Sequence, residues 1–201
     1  RASVAEGQAL EHFRKGNLES SLQKLDKAIR LAPGVPSYYN NRAQAFLVYQ
    51  LRPETLTEPG CNNQSEVSYQ VCLGLKSLDA NLVSVDKQPF NFYARVSAAN
   101  SAFNLQLKDF AKDLYQSATM LVPHSYKLRN DLAEIQTDLG FYDDALEELD
   151  LSLSITGESA ESSRALYLKG GLAWETGQSD AAVQILRHSL SVEMSDSSLD
   201  L

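Results

Sequence analysis

The stretch Arg129 to Ile155, RNDLAEIQTDLGFYDDALEELDLSLSI, decides the fold. It reads as two antiparallel helices joined by a tight turn. Leu128, Leu132, Ile135 and Leu139 form one stripe, and Leu146, Leu149 and Leu153 form a second. Both stripes follow the helical period of about 3.6 residues. Gly140 stands where the first helix must stop, because glycine enters a left-handed C-cap at little cost. Ala133 and Ala145 are small, so the two helices can approach closely. Such a pair cannot bury both of its faces alone and needs neighbours of the same kind.

The rest of the chain supplies them. Small residues recur in the first helix of each candidate pair at Ala9, Ala43, Ala99, Ala133 and Gly170, with steps of 34, 56, 34 and 37. A second series, Ser21, Ala111, Ala145 and Ala182, marks the second helix. A third, Ala28, Ala118, Ser152 and Ser189, lies seven residues further on. Pro33 and Pro123 follow the third series by five residues and stop the helix there. A fixed period of this length signals a repeat architecture.

This order of small, turn, small, small and proline at a period of 34 resembles the tetratricopeptide repeat family. Gly16, Gly140 and Gly177 stand at the family's turn between helices, and Leu25, Tyr115, Leu149 and Leu186 at its large apolar position. The resemblance implies an all-α, right-handed α-solenoid of about five helix-turn-helix units in a single array. The units span about 3–34, 37–88, 90–123, 125–157 and 162–193, with a polar tail at 194–201 expected to fray. Unit two carries an insertion at 50–64, LRPETLTEPGCNNQ within it, whose Pro and Gly punctuate turns. The step of 56 exceeds 34 by the length that this insertion and a displaced or lengthened second helix must hold.

Composition narrows the function classes. The 201 residues are 43% hydrophobic and 22% charged, with a formal net charge of -8. An acidic balance argues against nucleic acid and anionic membrane partners. No apolar run is long enough to span a bilayer. Two cysteines, Cys61 and Cys72, are too few for a disulfide scaffold and read as reduced thiols of a cytoplasmic protein. Asn63-Gln64-Ser65 matches the N-glycosylation triplet. The chain opens on Arg1 rather than Met, so a missing N-terminus is expected.

Catalytic chemistry is not expected. His12, His124 and His188 fall in different units and make no metal-binding pair, so neither a metal nor another cofactor is foreseen. Neither a phosphate-cradling glycine loop nor a nucleophile elbow occurs. The resemblance instead implies a non-catalytic scaffold or adaptor that holds a peptide or protein segment in a concave groove lined by the first helices. In register, that groove takes Glu6, Leu10, Phe13 and Arg14 from unit one and Asn40, Asn41, Gln44 and Leu47 from unit two. Unit three gives Tyr93, Val96, Asn100, Phe103 and Asn104, and unit four Lys127, Asn130, Glu134 and Thr137. Unit five gives Arg164, Tyr167, Gly171 and Trp174. The asparagines offer donors and an acceptor to a peptide backbone, and the aromatics are the side chains that anchor interfaces. Some members of the family clamp chaperone carboxylates with Lys, Asn and Arg. Here only Asn41 fits, since Glu6, Leu10, Tyr93 and Ser97 hold the other places, so that clamp is not expected. Two further readings are a structural section of a larger assembly, and an accessory domain of an enzyme or co-chaperone.

Overall fold

The computed structural model describes residues 1–50, 61, 66–157 and 159–197. Among the described residues the chain is all-α, with ten helices, one short 3₁₀ turn and no strand. It divides into two compact units, Arg1–Leu114 and Tyr115–Leu201. The first contains α1 (Ala2–Arg14), α2 (Leu18–Leu31), α3 (Pro36–Gln50), α4 (Glu66–Lys87), α5 (Phe92–Asn104) and the start of α6 (Lys108–Leu121). The second contains the rest of α6, then α7 (Tyr126–Asp138), α8 (Tyr142–Thr156), a 3₁₀ turn at Ala160–Ser162, α9 (Ser163–Glu175) and α10 (Ser179–Ser197). Neighbouring helices pack as hairpins, α1 on α2, α3 on α4, α7 on α8 and α9 on α10.

Close approach explains the hairpins. Ala9, Ala99 and Ala133 are fully buried and Ala43 nearly so, as are Ala111, Ala145 and Ala182 in the second helices. A larger side chain at any of these points would hold the helix axes apart. Gly170 is the extreme case. A Cβ built there would lie 2.7 Å from the Leu186 side chain. Leu186 of α10 thus fills the space that alanine occupies in the other pairs.

The turns repeat as closely as the crossings. Gly16, Gly140 and Gly177 have φ of 74°, 81° and 80°. In each, the following N–H reaches back to a carbonyl five residues earlier, as in Asn17 to His12 (2.9 Å), Phe141 to Gln136 (2.8 Å) and Gln178 to Ala173 (2.8 Å). These bonds satisfy carbonyls that a helix end would leave unpaired. The α5–α6 turn makes the same bond, Leu107 to Ala102 (2.9 Å), but its left-handed residue is Gln106, with φ of 61°.

The entries to the first helices share a second device. The carbonyl of a proline accepts a bond from a side chain six residues later: Tyr39 Oη to Pro33 (3.0 Å), Arg95 Nη2 to Pro89 (2.5 Å) and Arg129 Nε to Pro123 (2.9 Å). The steps between these donors are 56 and 34, the register of the small residues. Within the hairpins of the second unit, Ser152 Oγ donates to the Tyr126 carbonyl (3.3 Å) and Ser189 Oγ to the Ser163 carbonyl (2.8 Å). The third small-residue series therefore has a polar variant that ties the two helices of a pair together.

Several expectations are corrected. Leu146 is not a core residue; it is 38% exposed, and Ala145, Leu149 and Ser152 form the buried face of α8. The buried stripe is set by the small residue at the crossing, which turns Leu146 outward. Cys61 and Cys72 are not free thiols but a disulfide, with Cα atoms 5.9 Å apart. Cys61 is buried against Leu22, Leu25, Phe46 and Leu73, so the bridge ties the end of the insertion to α4 and to the core of the first unit. Helix α4, at 22 residues, is the lengthened second helix of unit two. Helix α10 runs to Ser197, so Met194 to Ser197 of the expected tail are helical. Apart from Gln50 and Cys61, the insertion at 50–64 lies outside the described residues, as do the triplet Asn63-Gln64-Ser65 and residues 198–201.

Two outcomes follow from these features. Cys72→Ser should lower the unfolding free energy in urea by roughly 2–3 kcal/mol, the scale for a bridge closing a short loop, and reduction of the native protein should reproduce the loss. Gln106→Gly should raise it by about 0.5–1 kcal/mol, since glycine relieves a left-handed backbone that a side chain disfavours. Thermal or urea melts of the variants check both.

Candidate functional site

In the first unit the hairpins leave a recess of about 310 Å³. Helix α1 contributes Leu10 and Phe13, α2 Ser21 and Leu25, α3 Asn40, Asn41 and Gln44, and α5 Tyr93 and Ser97. These side chains meet because α3 follows α2 through the short Pro33–Pro36 connection and α5 packs on α4 beside it. Among the described residues no charged side chain lines the recess. Glu6, bonded to the lining Asn41, is occupied: Glu6 Oε1 accepts from Ser37 Oγ (3.0 Å) and Asn41 Nδ2 (3.1 Å). That second bond fixes the orientation of the Asn41 amide.

Two polar atoms of the lining have no hydrogen-bond partner. Ser21, only 1% exposed, leaves its Oγ unpaired, and Asn40 leaves its Oδ1 unpaired. A buried polar group without a partner costs about 1–3 kcal/mol. In the seam between α3, α4 and α5, Ser77 Oγ bonds the Ala43 carbonyl (3.1 Å), and Asn81 Nδ2 bonds the Ser97 carbonyl (3.1 Å) and Ser101 Oγ (3.0 Å). Asn81 Oδ1 in that seam is unpaired as well, so Ser21 and Asn40 differ from it in lining an open recess rather than in lacking a partner.

In the second unit Tyr167 of α9 stands between two recesses. One, of about 360 Å³, includes Glu134, Asp138, Tyr167, Gly171, Trp174 and Glu175. The other, of about 480 Å³, includes Arg164, Tyr167, Leu190 and Glu193. Tyr167 and Trp174 are 64% and 62% exposed. Arg164 bonds Asp131 (2.8 Å) and Glu134 (2.9 Å), which fixes its head. Burial raises the Asp131 carboxyl above its ordinary value despite the pull of Arg164. Burial opposes the charge of Arg164, yet Asp131 and Glu134 together hold the guanidinium above its usual value. Burial also pushes the Tyr115 phenol upward, with Asp131 adding to the effect.

The residues expected to line a groove therefore divide. Asn40, Asn41, Gln44 and Tyr93 meet in the recess of the first unit. Arg164, Tyr167 and Trp174 border the recesses of the second. Asn100 and Asn104 are exposed and line neither kind of recess. Asn130 is 1% exposed within α7, with its Oδ1 unpaired. Lys127 is exposed, its Nζ 5.7 Å from the centroid of the adjacent Tyr126 ring. Sequence reasoning placed Ser21 as a spacer between helices and gave it no part in the site. Its hydroxyl, where a spacer needs only small size, is the signal that was available. Among the described residues no group of three His, Cys, Asp or Glu side chains is placed to hold a metal ion.

Comparison with known proteins bears on the fold. Residues 163–193, which are α9 and most of α10, match the family described as Tetratricopeptide repeat. No curated protein sequence matches the chain. Among solved structures, a crystal structure of MamA protein is similar with a TM-score of 0.78 at 16% identity, covering 100% of this chain and 96% of that one. MamA 41-end from Desulfovibrio magneticus RS-1 gives 0.76 at 11% identity, covering 96% of each chain. YrrB, described as a TPR protein with an unusual peptide-binding site, gives 0.72 at 15% identity, covering 96% of this chain and 87% of that one. At these identities the likeness is one of fold.

Gly170 and Gly171 separate packing from surface in this site. Gly170→Ala should lose about 1 kcal/mol net, because overpacking against Leu186 outweighs the gain in helix propensity. Gly171, with nothing within 4 Å of a built Cβ, should gain up to about 1 kcal/mol as alanine. Urea unfolding of the two variants checks the pair.

Proposed function

We propose that this chain, a member of the tetratricopeptide repeat family in its fold and in the sequence of residues 163–193, is a non-catalytic scaffold or adaptor that binds a peptide or protein segment. The observation that carries the reading is the first-unit recess, which brings the amides of Asn40, Asn41 and Gln44 together beside Leu10, Phe13 and Tyr93. A peptide main chain presents N–H and C=O groups at regular intervals, and amide side chains can serve both. The aromatic rings would add contact area at small entropic cost. YrrB's description as a peptide-binding TPR protein is consistent with this use of the fold.

The neutral lining among the described residues favours a neutral stretch of partner there. Clamping of a terminal carboxylate finds no support, since Glu6 would repel it and among the described residues no Lys or Arg lines the recess. Nucleic acid is disfavoured as a partner by the net charge of -8. Among the described residues no helix is long and apolar enough to cross a membrane. The disulfide bears on location. Such bridges persist in oxidising compartments, so the Cys61–Cys72 pair favours a compartment that keeps it oxidised over the cytoplasm expected for two reduced thiols.

Peptides selected from a displayed random library on the native chain supply the test. The combined substitution Asn40→Ala, Asn41→Ala and Tyr93→Ala should weaken the selected peptides at least tenfold by calorimetry, with the circular dichroism of the helices unchanged. Undiminished binding would remove this recess as the site.

A further inference from the structure

The glycine at 171 has no packing reason. Its neighbour Gly170 is required by Leu186, whereas a Cβ at Gly171 meets nothing within 4 Å. A glycine inside a helix is less favourable than alanine, and a Cβ here would meet no obstacle. Its place on the helix is informative. Tyr167, Gly171 and Trp174 are spaced by four and three residues, so they share one face of α9. The missing side chain opens a gap between two rings, both more than half exposed. That gap belongs to the recess of about 360 Å³.

The recess has three kinds of wall. Leu172 and Leu186 are aliphatic, Tyr167 and Trp174 are aromatic, and its charged residues are Glu134, Asp138 and Glu175, all carboxylates. Among the described residues no lysine or arginine lines it. The one guanidinium nearby, Arg164, lines the adjoining recess and is held by Asp131 and Glu134. A ligand that suits all three walls has an aliphatic stem, a flat or compact cation that stacks on an aromatic face, and a charge that the carboxylates attract. A cation within about 6 Å of a ring centroid is attracted to its face, and the stem buries against apolar surface as long basic side chains do.

We infer that the α7–α9 recess seats a lysine or arginine side chain of a partner protein segment, between the rings of Tyr167 and Trp174 and over the backbone of Gly171. The inference rests on the scaffold reading and deepens it, because it assigns the second unit a basic residue of the bound segment. Gly171 keeps the seat open, and Glu175 selects the charge, with Asp138 and the Arg164-paired Glu134 on the same wall.

Trp174 is the chain's single tryptophan, so its fluorescence reports on this recess without labelling. The probes are three acetylated and amidated octapeptides in which alanine alternates with arginine, with citrulline or with glutamate. The arginine peptide should change Trp174 emission saturably and bind at least tenfold more tightly than the citrulline peptide. It should weaken as salt rises, since partly exposed charges are screened. Gly171→Leu retains every charge and replaces glycine with a stronger helix former. By calorimetry it should lose at least tenfold in affinity for the arginine peptide, which separates the recess from general attraction to an acidic surface. Equal binding of the arginine and citrulline peptides, or an unaltered affinity in Gly171→Leu, overturns the inference. If the library-selected peptides still bind the native chain, only the basic seat falls and the scaffold reading stands. If no peptide binds in either experiment, both fall.

Discussion

Close approach of paired helices at a small side chain is the constraint on which the rest of this structure depends. At each crossing an alanine, serine or glycine lets two backbones come near enough for the flanking leucines to interlock. Ala133 and Ala145 do this for α7 and α8, and Leu149 and Leu172 close the cluster around them. The same contact sets the rotation of each helix about its axis. Once Ala145 faces the partner helix, Leu149 and Ser152 must follow it inward and Leu146 must turn outward. Rotation in turn decides which side chains of α1, α3, α5, α7 and α9 are left for another molecule.

Polar groups are handled with equal economy, apart from a few. Seam serines bond the carbonyl of the facing helix, and proline carbonyls at the hairpin junctions are taken up by Tyr39, Arg95 and Arg129. Arg129 also pairs with Glu148, so one side chain fixes both the entry to α7 and its partner α8. Against this background, Ser21 Oγ and Asn40 Oδ1 stand out because they are unpaired and border an open recess. The second unit departs from a self-contained fold differently. There the rings of Tyr167 and Trp174 are more than half exposed, and Gly171 on the same helix face has no packing neighbour.

Much of the fold was legible in the residues because the small-side-chain register is a local pattern repeated at a nearly fixed step. Every member of the three series from Ala9 to Ser189 is buried as the register requires. The exceptions share a cause. Gln106 takes the left-handed backbone of a turn glycine, and periodicity in residue type cannot reveal a conformation held by neighbours. The cysteine pair was misread because a count of two says nothing about distance. Cys61 meets Cys72 only once the insertion returns to α4. Of the candidate groove residues, Asn40, Asn41, Gln44 and Tyr93 were found by register alone. Asn130 shares that register yet is buried, since its helix is rotated to bury Leu128, Leu132 and Ile135 as well.

By itself, the sequence determined the all-α class, the hairpin repeat and the positions of the crossings. These follow from spacing and side-chain size, which neighbours in the chain suffice to define. The tertiary structure alone decided which carboxylates share one recess with the rings of Tyr167 and Trp174, and that Gly170 is needed where Gly171 is not. Those properties depend on atoms from helices far apart in the chain, and they come into being only when Leu186 meets Gly170 and the packed helices leave a space.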